Sequence, residues 1–259
     1  MNVEASLIVD AVEGARLLRQ NDALVVRRAL PVEMIRAYGR AWLALASEYR
    51  EASNAHFRRV HDVAGLDRYA LVTALAQSPI IETLRTYYGI TDLPCIWNLL
   101  VSAFGMEAAH PERAVPFHQD GGAGGQPYVR AWTLIHPESV ADIAPGLALL
   151  PTRGRGVLSI DPNPVSLDFY RGLETSHDTV REIEATQPAW TPIVRLGDAV
   201  LFTGDCLHAS YFPPGATVDR LALQITFCAV PPAERHCIFR PDGVQFPTDD
   251  GSGFEMVAA

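Results

Sequence analysis

Two imidazoles and a carboxylate, at His118, Asp120 and His208, with a guanidinium at Arg220, are the side chains of this chain whose types and spacing could do chemistry together. In Val115-Pro116-Phe117-His118-Gln119-Asp120 the histidine and the aspartate stand two apart, so an extended strand would send both side chains from one face toward one metal ion. A second imidazole at His208 completes two nitrogens and one carboxylate oxygen. That facial set suits Fe(II) and leaves the other side of an octahedron open to a bidentate oxo-acid and O2. Arg220, twelve residues after this histidine, could grip the far carboxylate of such a co-substrate with both prongs of its guanidinium.

Taken alone the triplet is weak, since 8 histidines and 30 acidic residues among 259 should produce roughly one His-x-acid by chance. Three occur. His110-Pro111-Glu112 and His136-Pro137-Glu138 carry a central proline, which removes a ladder donor and favours a turn, so both read as turn chemistry. His118-Gln119-Asp120 instead follows an apolar lead and runs into Gly121-Gly122-Ala123-Gly124-Gly125, a backbone able to bend closely around a bound group.

The elements around these residues must position them. Leu196 to Phe202 reads as a tight turn feeding an apolar strand, and Thr203-Gly204-Asp205 bends the chain just before His208. From Arg220 to Val230 the sequence alternates with a period of two: Leu221, Leu223, Ile225 and Phe227 share one face, Arg220, Ala222, Gln224 and Thr226 the other. In an ordinary sandwich the polar face would meet water, whereas in a barrel that holds a charged ligand it would face inward. Pro31 opens a helix running to about Tyr49, and Ser78-Pro79 starts another that Gly89 ends. Residues 1–95 are thus a helical flanking region, 96–240 a strand-rich core with turn signals at short intervals, and 241–259 a loosely held tail rich in Gly, Asp and Pro. Within the core, the polar stretch 161–188 is expected to carry a short helix near Leu167 to Glu174, as a lid or as a plain surface insertion.

These residues resemble the phytanoyl-CoA dioxygenase-like branch of the Fe(II)/2-oxoglutarate oxygenases over most of the chain. The resemblance rests on Phe117-His118-Gln119-Asp120, on Ala144 to Pro151 between the ligands, and on Gly197-Asp198-Ala199-Val200-Leu201-Phe202 followed by His208-Ala209-Ser210 and Arg220. Asn21 to Arg27 is similar to the opening strand of such enzymes, and Ile96-Trp97-Asn98-Leu99-Leu100 to the strand before the metal motif. It implies a mainly β fold with flanking helices, a double-stranded β-helix (jelly-roll, cupin-like) core in a single domain over 1–259. It also implies Fe(II) on His118, Asp120 and His208, with 2-oxoglutarate and O2 as co-substrates. Arg220 and Ser210 would hold the co-substrate carboxylate, and Trp132 and Asn98 would line its pocket. Two departures limit the carry-over. Pro151-Thr152-Arg153-Gly154-Arg155 stands where Pro-Gly-Ser-His is common, and the chain looks too compact for the loops of an acyl-CoA pocket. The expectation is therefore hydroxylation of another small molecule, whose anionic group Arg153 and Arg155 could meet. Asp120 itself argues against halogenation, which in relatives needs a small residue there.

Composition excludes several classes. All 21 basic residues are arginine, so a Walker-A lysine and a lysine Schiff base are both impossible. A net charge of −9 argues against a nucleic-acid or acidic-membrane surface, and no apolar run approaches ~18 residues. With no basic leader in Met1-Asn2-Val3-Glu4, a cytoplasmic monomer or homo-oligomer is expected. Cys95, Cys206, Cys228 and Cys237 form no CxxC pair and read as structural thiols, although Cys206 is two residues from a metal ligand. The competing functions are a cupin-like metalloenzyme that does not use 2-oxoglutarate and a non-catalytic binding protein on the same fold.

Overall fold

The computed structural model describes residues 10–50, 57–59, 68–104, 115–120, 127–137, 146–152, 154–162, 174–216, 220–229, 238–240, 243–247 and 254–258. In chain order these form α1 (Ala11–Asn21), β1 (Ala23–Val26), α2 (Val32–Arg50), β2 (Phe57–Arg59), α3 (Arg68–Ala76), α4 (Pro79–Tyr88), β3 (Cys95–Phe104) and β4 (Tyr128–His136). Then follow β5 (Gly146–Leu150), α5 (His177–Glu184), β6 (Ala199–Thr203), β7 (Leu207–Tyr211), β8 (Arg220–Cys228), β9 (Ile238–Arg240), β10 (Gly243–Pro247) and β11 (Phe254–Ala258).

The fold is a mainly β, cupin-like jelly roll. Its major sheet has the order β1-β6-β4-β8-β3-β2, with every pairing antiparallel. The alternation of β8 decides which side is which. Leu221, Leu223, Ile225 and Phe227 pack with Val129, Ala131 and Ile135 of β4 against Leu18, Ile35, Leu75, Ile80 and Leu84 of the four N-terminal helices. On the other side Trp132, Val200, Phe202 and Ala222 meet Leu147 and Leu149 of β5, so the small β5-β7 sheet closes the inside of the barrel. Arg220 and Gln224 are therefore interior residues, 1% and 8% exposed, rather than a solvated stripe. Behind the small sheet, Leu150 and Leu207 pack on Ile183 of α5.

Local signals explain both ends of α4. Ser78 Oγ accepts from Ile80 N, Pro79 supplies a helical φ, and Gly89 closes α4 at φ +69°. Elsewhere the structure departs from expectation. Among the described residues the 161–188 stretch carries α5, beginning at His177; of the helix expected near Leu167 to Glu174, only Glu174 is described, in a β-bridge to His118, and 163–173 lie outside the described residues. Val180 and Ile183 give α5 its apolar side, a two-residue signal too sparse to stand out in so polar a stretch. The C-terminal tail contains β10 and β11, which pair with each other, and β10 pairs on its other edge with β9. Val244 and Phe246 alternate as a strand requires, but the surrounding Gly, Asp and Pro mask the period.

The turn before β6 is pinned on both sides. Asp198 accepts from the Arg27 guanidinium at 2.7 Å and from the backbone N–H of Arg28 and Arg195, tying the exit of β1 to the entry of β6. Gly197 sits at φ +84°, where an added Cβ would lie 2.8 Å from the Leu30 carbonyl oxygen. Gly197→Ala is expected to cost about 2–4 kcal/mol, combining left-handed strain with a backbone clash that cannot relax, and urea unfolding measures it.

Candidate metal centre

His118 and His208 are placed by the backbone before any side-chain contact is considered. The two residues exchange hydrogen bonds, His118 N to His208 O and His208 N to His118 O, both 3.1 Å. Opposed residues of an antiparallel bridge point to the same side, and the imidazole centroids are accordingly 4.1 Å apart. The segment 115–120 is not the regular strand expected of it. Pro116 has no N–H to offer a ladder, and the segment is held instead by bridges to β7 and to Glu174, with Ser210 N donating to Val115 O and Thr175 N to Phe117 O. The outcome expected for a strand survives, because Asp120 still swings toward His118.

The three side chains converge. Asp120 Oδ1 lies 3.6 Å from His118 Nε2, and Oδ2 lies 3.4 Å from His208 Nε2. These separations are long for hydrogen bonds and close to the spacing of about 3 Å expected of adjacent ligands around one ion at 2.0–2.2 Å. The tautomers also fit. His118 Nδ1 faces Pro116 O at 2.8 Å and His208 Nδ1 faces Cys206 O at 3.1 Å; each Nδ1–H donates to its carbonyl, which leaves the Nε2 lone pair toward Asp120. His208 Nε2 is buried with no hydrogen-bond partner, as a ligand atom awaiting an ion would be. Burial, and then the neighbouring His118, lower the His208 pKa to about 3, so this imidazole is neutral at ordinary pH. Burial pushes the Asp120 carboxyl up, but Arg130 and the two histidines outweigh it and hold the group below the usual carboxylate range. A neutral imidazole and an ionised carboxylate are the forms that bind a metal.

Arg130 was not legible in the sequence as a site residue. It projects from β4 on the same side as Trp132, places Nη2 2.8 Å from Asp120 Oδ2 and donates from Nη1 to Gln224 Oε1 at 3.1 Å. Gln119, between the two ligands of the triplet, is a second such residue. Its amide donates to the carbonyls of Gly156 and Asp205 and its oxygen accepts from Leu158 N, clasping two loops to the metal motif. No spacing rule announces either one, since each partner is distant in sequence.

Arg220 reaches the far end of the site. Its guanidinium lies over the Trp132 ring, 5.3 Å from the centroid, and donates from Nη1 to Gly146 O at 2.8 Å. Gly146 pairs with Tyr211, the neighbour of Ser210, and Ser210 shares a face of β7 with His208. Arginine and serine are thus brought to the same end of the barrel. Trp132 is 2% exposed and its indole N–H has no acceptor. Asn98 pairs with Thr226 through the backbone of β3, and its side chain lies outside what the structure describes. Glu112, Glu138 and Arg153 also lie outside the described residues, while Arg155 is exposed. The Cys206 thiol packs in the interior apolar cluster, and only its carbonyl touches a ligand, through His208 Nδ1.

Asp161, Glu174 and His177 form another group with ligand atoms within 4.8 Å of one another, but His177 is largely exposed and pairs with Glu174 at 3.2 Å at the start of α5. Among the described residues no helix is long and apolar enough to cross a membrane.

Because Arg130 offsets a buried carboxylate, Arg130→Gln should lower the stability of the metal-free protein by about 3 kcal/mol. A divalent cation should then recover more stability in the variant than in the wild type, since it alone compensates Asp120. Thermal melts with and without Fe(II) under argon would show this; an equal metal-induced shift in both proteins would contradict it.

No family model matches the chain, and no curated protein matches it by sequence. Solved structures do match by shape. AviO1 from Streptomyces viridochromogenes Tue57 has a TM-score of 0.56 at 15% identity, covering 88% of this chain and 100% of its own. The epimerase SnoN, in complex with Fe3+, alpha ketoglutarate and nogalamycin RO, has a TM-score of 0.57 at 13% identity, covering 95% and 93%. EctD from S. alaskensis with 2-oxoglutarate and 5-hydroxyectoine has a TM-score of 0.56 at 14% identity, covering 99% and 89%. At these identities the likeness establishes the fold.

Proposed function

We propose that this chain is an Fe(II)/2-oxoglutarate-dependent oxygenase that hydroxylates a small molecule, acting as a single domain. The observation that carries the proposal is the convergence of two Nε2 atoms on Asp120 inside a barrel whose other end holds Arg220. His118, Asp120 and His208 would hold the iron. Arg220 and Ser210 would take the distal carboxylate of the co-substrate, with the Trp132 ring fixing the guanidinium from one face. An orphaned buried donor costs about 1–3 kcal/mol, so the Trp132 indole N–H supports an acceptor supplied by the ligand. Asn98 is proposed to line the same pocket from β3.

Iron with 2-oxoglutarate supplies O2 activation, coupled to decarboxylation of the oxo-acid to succinate and CO2. The chain's own contribution is placement and dryness. Phe202, Val200 and Leu149 wall the interior and exclude water, and the reciprocal His118–His208 backbone bonds fix two ligands without cost at the moment of binding. Arg130 and Arg220 add positive charge beside the site, which favours a dianionic co-substrate and would suit a substrate bearing an anionic group.

Anaerobic titration with Fe(II) and 2-oxoglutarate tests the reading, because chelation of the oxo-acid gives a weak visible charge-transfer band. On admission of air the same sample should slowly form succinate. Neither band nor succinate would end the proposal. SnoN is an epimerase on this fold, so product mass is the further discriminator: hydroxylation adds an oxygen and epimerisation adds nothing.

A further inference from the structure

The major sheet carries a thiol pair that the metal chemistry does not use. Cys95, the first residue of β3, is directly opposite Cys228, the last residue of β8, and Cys228 is in turn opposite Tyr128 of β4. The three side chains form a small buried cluster of their own, with each cysteine 3% exposed. Neither cysteine is in a disulfide. Opposed residues of an antiparallel pair have Cα atoms about 4.5 or 5.5 Å apart, inside the range of about 4.4–6.8 Å that a disulfide spans. Their Cβ atoms need approach by only about an ångström, and at the ends of two strands the backbone can supply it.

We propose that Cys95 and Cys228 are a dithiol modification site that a peroxide closes to a disulfide, stapling β3 to β8. The first sulfur attacks one peroxide oxygen, the O–O bond breaks, and a sulfenic acid and water result. The second sulfur then displaces the sulfenic hydroxyl, which leaves as water, so two thiols lose two electrons and two protons while hydrogen peroxide becomes two waters. The pairing shows in the thiol of Cys228. A hydrogen bond from Cys95 outweighs burial there and lowers its pKa, whereas burial drives that of Cys206 well up with no second cysteine beside it. Cys206 is therefore an internal control.

The staple would also be felt at the site. Tyr128 packs on both cysteines, and the nearby charge of Asp120, after burial, raises its hydroxyl pKa; its ring occupies the space that a Cβ on Gly204 would fill at 2.7 Å. Cross-linking residues 133 apart should raise the thermal midpoint by about 5 °C or more.

The test treats the full-length protein with hydrogen peroxide, blocks remaining thiols with N-ethylmaleimide and maps the non-reduced digest by mass spectrometry. The expected result is loss of two of the four thiols, a linked pair of peptides carrying Cys95 and Cys228, reversal by dithiothreitol, and a raised melting midpoint. Cys237→Ser should retain the link, and either Cys95→Ser or Cys228→Ser should abolish it. A link to Cys206 or Cys237 instead, sulfinic acid at a single cysteine, or four thiols unchanged would overturn the proposal, as would a link that leaves the midpoint where it was.

Discussion

Arg220→Ala is expected to raise the 2-oxoglutarate concentration needed for half-maximal turnover by about two orders of magnitude or more while leaving Fe(II) affinity nearly unchanged. The guanidinium is 1% exposed and pre-set by the Trp132 ring and the Gly146 carbonyl. Two charge-assisted bonds to a carboxylate, each worth roughly 1.5–3 kcal/mol, are lost in a site where water cannot replace them. Because the group is wholly buried, Arg220→Lys provides a second variant that keeps the charge and loses the fork, and it should fall between wild type and alanine. Ser210→Ala removes one neutral donor and should cost only about tenfold. Kinetics with iron content measured alongside decide the matter. An unchanged requirement in Arg220→Ala would favour a cupin-like metalloenzyme that does not use 2-oxoglutarate.

Asp120→Ala should have the larger effect, lowering Fe(II) affinity on the order of a thousandfold, beyond the ten- to hundredfold typical of losing a residue that only supports a ligand. It removes the one anionic donor and leaves Arg130 facing the ion across a few ångströms, so attraction gives way to repulsion. Hydroxylation should vanish with the metal. Glu112→Ala and Glu138→Ala are the controls and should leave iron affinity as it was. Equilibrium dialysis under argon reads all three, and loss of iron from either glutamate variant would show that the wrong triplet had been chosen.

The clustering of His118 with Asp120 and the alternation of β8 were legible because local chemistry and burial agree there. His118 and Asp120 stand two apart and converge although their segment is no regular strand, and the two-residue period of Leu221 to Phe227 could only mean that Arg220 shared the opposite face of β8; only its sense, inward or outward, needed the second sheet. Arg130 and Gln119 were illegible for the complementary reason. An arginine on a strand reads as a solvated edge until Asp120 is seen to arrive from another layer, and Gln119 has no meaning until the loops at Gly156 and Asp205 come within its reach. The strands at 243–247 and 254–258 were hidden by turn-forming neighbours, although each retains the apolar residues that a sheet needs.

The reciprocal backbone bonds between His118 and His208 also fix when the ion can arrive. They join segments ninety residues apart in the chain, so the two imidazoles are neighbours through the tertiary fold and not through local sequence. In small zinc modules the cation and the fold appear together, because the ligands gather around the ion. Here backbone pairing within the barrel holds the three side chains together without an ion. On the proposed reading the metal would be a late guest, able to exchange with the medium while the polypeptide stays folded, and depriving the protein of iron would leave it intact and rechargeable rather than collapsed.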